Sequence, residues 1–575
     1  MHGKSQTSLS VSLTLQSKPR SLQLKPLDKK YFNTKKTTTT TIAFVSNQFF
    51  FKIEFDLRQL DAQSVASLRD SIMALLYDNR KGPKPIKTQL CIAIADLALQ
   101  MDDWNDPIQD VMNSFANSPE CAVILLTFLN VFPDEVQNNR RVTGGEEKPG
   151  SLQRAQQMLK GSVTAILQFL MDRFSNDAND DVRYHVLDCL FAWLRCGEVT
   201  QEVIKAFPIL DLAFEALAVD ELLDMAVDLV CEIVVISAKS QPRDMELVQL
   251  ICHKLASLVP RLQQSTDESE LVRGICRILV EAGEGYIDLI VPNAADFSPV
   301  LEGILFCTSF DDLEIVRIPF TFWHMLTDLL VTPEYNSYVP AFAAAYDRLV
   351  DIMLKHLRYP ESLKNWNASE RDEFREFRHV MGDILKDCVK ILGEENTLVK
   401  PYTILSSVFR SASGSPVSPP NGSPVPVDSS IPWQDIEAPM FALRAMCREV
   451  NLQESKFLPE IMRLLPLMPP HPKIKYAAIL VIGRYAEWTN AHPEMLSYQL
   501  DFVSKAFSDK GETLLAACQS FKDLCKYCSK VKYLKAFSFF LLGSNIHFGY
   551  YCYKAFGFVF ASTASLLHPN IGHGR

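Results

Sequence analysis

Chemistry needs side chains of the right type at the right spacing, and this chain offers few such sets. Cys525-Lys526-Tyr527-Cys528 has the CxxC spacing of zinc and dithiol redox sites. No second pair lies nearby, and at helical spacing the two thiols read as core. The 11 histidines are scattered, with no HxxxH or CxH set among them. The chain carries no P-loop, nucleophile elbow, dinucleotide fingerprint or metalloprotease helix. Gly283-Glu284-Gly285 reads as a turn rather than a phosphate cradle. Asp102-Asp103 and Glu146-Glu147 read as helix-end acids that complement the dipole. The residues point away from an enzyme and imply no catalytic group, no cofactor and no metal.

One charged stretch stands apart, SERDEFREFRHVMGDILKDCVKIL over 369–392. Its first half carries Glu370, Arg371, Asp372, Glu373, Arg375, Glu376 and Arg378, with Phe374, Phe377 and Met381 as an apolar stripe beneath. Two readings are open. It is a solvated helix start on a packed back, or an acidic contact strip for a basic partner. On the second reading the candidate partner-binding residues are Glu370, Asp372, Glu373 and Glu376.

The elements that must position such residues are helices. IKTQLCIAIADLALQMDDW, 86–104, is the clearest, with Ile86, Leu90, Ala93, Ile94, Leu97, Ala98 and Met101 on one face. Cys91, Ile92 and Ala95 extend the apolar surface, leaving Gln89, Asp96 and Gln100 as a narrow polar strip. A helix so apolar must be covered on more than one side. The same period predicts helices over 64–77 (Ser67 as a possible cap), 106–115, 119–132 (ending at Pro133), 152–174, 182–196, 201–218, 221–238, 245–258, 268–282, 298–307, 313–330, 338–357 and 370–392. It predicts more over 436–450, 456–465, 473–489, 494–507 and 512–528, and almost nothing alternates as a strand would. Val182-Arg183, Val272-Arg273, Val316-Arg317 and Ile474-Lys475 open several of these helices, at a spacing consistent with a repeat of about 40–47 residues. Asp180, Asp181, Glu270, Asp311 and Asp312 are near enough to pair with those basic residues. The fold expected is all-α, a HEAT/armadillo-like α-solenoid superhelix.

Composition sets the bounds. The 575 residues are 47% hydrophobic with 22 glycines, which excludes fibrous and fully disordered classes. Residues 1–36 hold eight Lys or Arg and one Asp (+7), and 531–575 hold four and no acid (+4), so the formal charge of −10 leaves −21 on 37–530. That either keeps an apolar protein soluble or favours basic protein partners, and it disfavours direct nucleic-acid binding. The 14 cysteines sit mostly inside apolar helical segments without a secretory signal, as reduced core residues do. Residues 1–50 are expected to be a disordered basic leader, read as a non-native start or a transit peptide. Solenoid is expected over 51–410 and 431–530, a Ser/Pro-rich linker over 411–430, and an aromatic-rich tail over 531–575, read as a non-native end or an anchor. No clean run of about 20 apolar residues exists, so no membrane span is expected.

A resemblance joins these readings. LRDSIMALLYDN at 68–79, TQLCIAIADLALQMDDW at 88–104 and LLTFLNVFPDEV at 125–136 resemble early repeats of the transportin-SR branch of the importin-beta superfamily. VRIPFTFWHML at 316–326, DEFREFRHVMGDILKDC at 372–388, PWQDIEAPMFALRAM at 432–446 and HPKIKYAAILVIGRYAEW at 471–488 continue it in family order, over roughly 51–530. The resemblance implies a HEAT-repeat nuclear import receptor, working between cytoplasm and nucleus. Its cargo would be serine/arginine-rich or other RNA-binding proteins, it would meet nucleoporins, and Ran-GTP would release the cargo. In the family a further repeat precedes the position of Phe51 and several follow Lys530, so the family's first Ran-contacting repeat and its arginine-rich cargo helix cannot be placed on this chain. The alternative is a HEAT-repeat scaffold or regulatory subunit unrelated to transport. On the linker reading, limited proteolysis should cut within 411–430 before 86–104; early cutting inside 86–104 with 411–430 spared would contradict it.

Overall fold

The computed structural model describes residues 60–116, 118–138, 150–409 and 431–528. The leader over 1–50, the linker over 411–430 and the tail over 531–575 lie outside the described residues. The described chain is helical without strands and forms two units, one up to Ser162 and one from Val163.

In the first unit α1 (Ala62–Asp78), α2 (Lys84–Gln100), α3 (Pro107–Phe115) and α4 (Ala122–Asn138) pack around α2, which lies against both α1 and α4. Asp61 caps α1 by accepting from the Ser64 amide at 2.7 Å, so Ser67 is an interior residue and not the cap. The expected apolar face of α2 is buried, and so is Asp96 from the expected polar strip, which accepts from Gln100 Nε2 at 2.8 Å. Asp102 and Asp103 follow the C-terminus of α2, where carboxylates oppose the dipole rather than complement it. An arginine closes that end instead. Arg154 Nη2 donates to the Met101 and Trp104 carbonyls at 2.7 and 2.9 Å, and Nη1 to Ala98 and Leu99 at 3.3 Å. Helix α4 runs through Pro133 to Asn138, beyond the expected stop.

Helix α5 (Ser151–Asn176) leads into the second unit, where helices alternate between two rows. One row holds α6 (Asp180–Arg195); after α7 (Gln201–Ala206) and α8 (Ile209–Ala216) it continues with α9 (Leu223–Lys239). Helix α10 (Met245–Gln264) belongs to the other row, and α11 (Ser269–Gly285) returns to the first. The pattern repeats through the short α12 (Ile287–Ile290), α13 (Ser298–Thr308), the short α14 (Leu313–Val316), α15 (Phe320–Leu330), α16 (Val339–His356) and α17 (Ala368–Leu392). It closes with α18 (Glu394–Ser407), α19 (Trp433–Met446), α20 (Leu458–Leu464), α21 (Pro472–Arg484), α22 (Ala486–Ala491), α23 (Leu496–Lys505) and α24 (Glu512–Tyr527). Thus α6, α9, α11, α15, α17, α19, α21 and α24 lie side by side in one row, and α10, α13, α16, α18 and α20 in the second. The row helices α6, α9 and α11 begin at Asp180, Leu223 and Ser269, steps of 43 and 46 residues, and the short α14 that leads into α15 begins 44 residues later at Leu313, inside the expected repeat.

Proline placed the differences from expectation. Pro208 breaks the single helix expected over 201–218, and Pro319 breaks that over 313–330. Pro401 sits inside α18, a helix whose pattern its presence hid. Gly283 and Gly285 form the last turn of α11 and not a loop. A Cβ on Gly283 would stand 2.8 Å from Ile304 Cδ1 and 2.9 Å from Phe322, so the glycine permits the contact of α11 with α13 and α15.

The closest approach is at Gly483 on α21, where a Cβ would fall 2.8 Å from the Ser520 Cα of α24. Gly161, exposed in α5, has open space around the same position. Gly483→Ala should therefore lower stability by about 1–3 kcal/mol through overpacking. Gly161→Ala should raise it by about 0.5–1 kcal/mol through helix propensity. Urea melts of the two variants check the opposite signs.

Candidate partner-binding surface

The expected acidic strip begins α17. Asn367 caps that helix, accepting from the Glu370 amide at 3.0 Å, while Glu370 Oε2 accepts from the Asn367 amide at 2.7 Å. Glu370 is thereby committed to a capping box. Asp372 holds Arg375 Nη1 at 2.7 Å. Glu373 and Glu376 are exposed and have no partner among the described residues. The stripe beneath is buried as expected, with Phe374, Phe377 and Met381 in the core.

Arg378, the last charge expected on that strip, does not belong to it. It is 2% exposed and forms a two-pronged pair with Glu437 of α19, Nη2–Oε2 at 2.6 Å and Nη1–Oε1 at 3.2 Å. Tyr359 and Phe441 each place a ring 4.1 Å from its guanidinium carbon. The geometry is a desolvated clamp between α17 and α19 and offers nothing to a partner.

A second set of carboxylates faces outward along α6, α9 and α11. Asp224, Asp228 and Glu232 stand one helical turn apart on α9, with Asp188 on α6 and Glu281 and Glu284 on α11 beside them. Arg277 Nη2 donates to Asp228 at 2.6 Å. The Tyr184 hydroxyl is pushed up by burial and by Asp188, Asp224 and Asp228. Burial also raises Glu232, against the pull of Arg195 and Lys239, and raises Glu284 together with Glu281. Carboxylates so placed carry a cost that a cationic partner relieves. The sequence did hold this signal, as acids at i, i+4 and i+8 in LDMAVDLVCEIV, but it shows only when three helices are set side by side.

Of the four expected basic pairings, Arg183 reaches Asp180 at 3.5 Å and Glu215 at 3.7 Å, and Arg273 pairs with Glu270. Lys475 holds Asp509 at 2.5 Å. Arg317 turns to Glu314 at 4.0 Å and not to Asp311 or Asp312, because Asp312 caps α14 and Asp311 holds Lys355. Cys525 and Cys528 are core residues whose thiols burial pushes up to about 12 and about 11. Among the described residues no group of three His, Cys, Asp or Glu is placed to hold a metal ion, and no helix is long and apolar enough to cross a membrane.

Three family models match the chain. They are an exportin 1-like protein over 83–230, and the second and third TPR domains of transportin-3/importin-13 over 267–356 and 455–541. The mRNA transport regulator MTR10 of Saccharomyces cerevisiae is 30% identical over 84% of this chain and 49% of its own length. Among solved structures, importin 13 in a cytosolic state superposes with TM-score 0.73 at 16% identity, over 92% of this chain and 61% of that one. Kap121p bound to RanGTP superposes with TM-score 0.58 at 14% identity, over 91% and 49%. At such identities the structures show the fold alone. The chain spans about half the length of the curated relatives it matches.

One contact in this surface responds to pH. His324 Nδ1 on α15 donates to Asp387 Oδ2 on α17, and Asp387 also holds Lys390 at 2.8 Å. The hydrogen bond to Asp387 raises the His324 pKa above 6.5, with Asp383 and Asp328 adding to it and burial opposing. A raised folded-state pKa gives stability that is complete below the unfolded value and is lost as pH rises through the folded value. The thermal advantage of the native chain over His324→Gln should shrink as pH rises from about 6.5 into the alkaline range. An advantage that stays constant or grows over that range would contradict the assignment.

Proposed function

We propose, from the importin-beta/karyopherin family that these likenesses support, that this chain is part of a nuclear transport receptor that imports serine/arginine-rich or other RNA-binding proteins and releases them to Ran-GTP. The transportin-SR branch is the finer placement we favour, on the motif order in the sequence and on the transportin-3/importin-13 matches. The observation that carries the reading is the outward carboxylate set on α6, α9 and α11, built on a fold shared with importin 13 and with a Ran-bound karyopherin. A soluble basic protein such as Ran is attracted to such a set, and the solenoid supplies area without a cleft or a catalytic group. The exposed Met245 and Leu250 on α10 give apolar contact points of the kind a nucleoporin would use. A receptor of this kind works in both cytoplasm and nucleus.

Glu373 and Glu376 remain candidate contacts at the start of α17, and Glu370 and Asp372 are candidates only if a partner displaces their internal bonds. The test is a pull-down of the chain with Ran-GTP and Ran-GDP at low and high salt. Ran-GTP should be retained in preference, and less at high salt as exposed charge pairs are screened. Asp224→Asn with Glu232→Gln should weaken retention about fivefold. Equal capture of both nucleotide forms would remove the transport reading and leave the scaffold reading.

A further inference from the structure

Helix α19 opens the part of the chain that follows residues 410–430, and it is covered on every side. Eight consecutive residues, Ile436 to Leu443, are buried. A helical turn takes 3.6 residues, so eight in a row leave no face open. The cover comes from two directions in sequence. Helix α17 lies on one flank with α16 and α18 behind, all of them before residue 410, and α21 lies on the other flank. A Cβ on Gly382 of α17 would stand 2.9 Å from the Ala445 Cβ of α19, so the two helices meet closely at that glycine.

Polar and aromatic contacts follow the same seam, each joining the earlier part to the later. Arg378 forks onto Glu437 out of water, and Arg358, just after α16, reaches Asp435. Glu395 of α18 holds Lys456 at 2.6 Å, and Glu394 accepts from the Asn451 amide at 2.5 Å. Tyr359 meets Trp433 with ring centres 5.7 Å apart, His379 meets Phe441 at 5.6 Å, and Tyr402 meets Phe457 at 5.5 Å. None of these contacts uses a residue of 410–430. Parting the two would expose the flank of α19 that α17 covers and strand the charges of Arg378 and Glu437.

We infer that this seam is a self-sufficient interface, so that residues 431–528 stay docked on α16, α17 and α18 when the backbone is cut between residues 411 and 430. The occupant of the surface is the chain's own later part. A covalent linker adds an effective concentration in the millimolar range, and the apolar, close-packed seam with its buried ion pair holds without it. A protease acting there leaves a solenoid in two pieces with its rows still continuous. Releasing the later repeats takes a second event that breaks the Arg378–Glu437 pair. The inference is independent of what the solenoid carries.

The experiment places a specific protease site within 411–430 of the full chain, cuts it, and applies gel filtration with light scattering at about 1 µM. Both pieces should elute together with the mass of one chain. The thermal midpoint, fixed for the uncut chain, should rise with protein concentration after cutting. Glu437→Gln leaves Arg378 without its charge partner and should weaken the association of the cut pieces about a hundredfold. The uncut Glu437→Gln chain should stay together through its linker. Glu395→Lys should weaken the cut pair about threefold, and adding Lys456→Glu should restore it, a rescue that misfolding does not give. Lys205→Gln, away from the seam, should leave the association unchanged. Separation or precipitation of the cut native pieces, a mass of two chains, or equal association after Glu437→Gln would each overturn the proposal.

Discussion

The interaction on which the rest depends is the burial of row helices between their own neighbours. Helix α11 packs against α9 on one flank and α15 on the other, with α10 and α13 behind it. Leu271, Ile275, Cys276, Ile278 and Leu279 are consequently 5% exposed or less. Each such side chain contributes about 1.5–3 kcal/mol, whereas an exposed ion pair contributes about 0–1 kcal/mol. Apolar burial sets where each helix lies, and charge can only adjust it. What is left for recognition is the narrow strip of each helix that faces away from all its neighbours.

The pairs that run from one helix to the next show how charge is used within that limit. Lys205 reaches Asp244 at 2.8 Å, Arg348 reaches Glu302 at 2.7 Å, Lys400 reaches Asp351 at 2.7 Å, and Lys473 reaches Glu512 at 2.9 Å. Partners lie 39 to 49 residues apart in sequence, about one repeat. Their energies are small, but a repeat packed out of register would lose the pair that joins it to its neighbour. They act on register more than on depth of stability. The Arg378–Glu437 clamp differs, because its charges are out of water and removing one would strand the other.

The row architecture was legible because period and spacing come from many residues at once. Ile86 to Met101, the steps of about 45 residues and the buried stripe of Phe374, Phe377 and Met381 all survive in the structure. Single-residue readings fared less well, each for a local reason. Pro133 and Pro401 sit inside helices, and Gly283 reads as a turn residue until Ile304 and Phe322 are seen against it. Of the strip over Glu370 to Glu376, two acids serve α17 itself and two remain open to a partner. Arg378 was placed on the surface because its helix neighbours are charged. Its burial depends on Tyr359 and Glu437, which are distant in sequence. Asp96 was misplaced in the same way.

Helix-local rules identify where the chain departs from what its own stability favours. Carboxylates at Asp224, Asp228 and Glu232 form a like-charge ladder that costs a few tenths of a kcal/mol per step on an isolated helix. Arg277 of α11 meets Asp228 at 2.6 Å across the row. Elsewhere the exposed faces pair charges within one helix, as in Asp372 with Arg375, Asp383 with Lys386, and Asp501 with Lys505. A scaffold held by apolar burial can carry such a ladder, and folding gains nothing from it. A partner bearing a basic surface would relieve the repulsion, and the spacing of the carboxylates along α9 would set which partners fit.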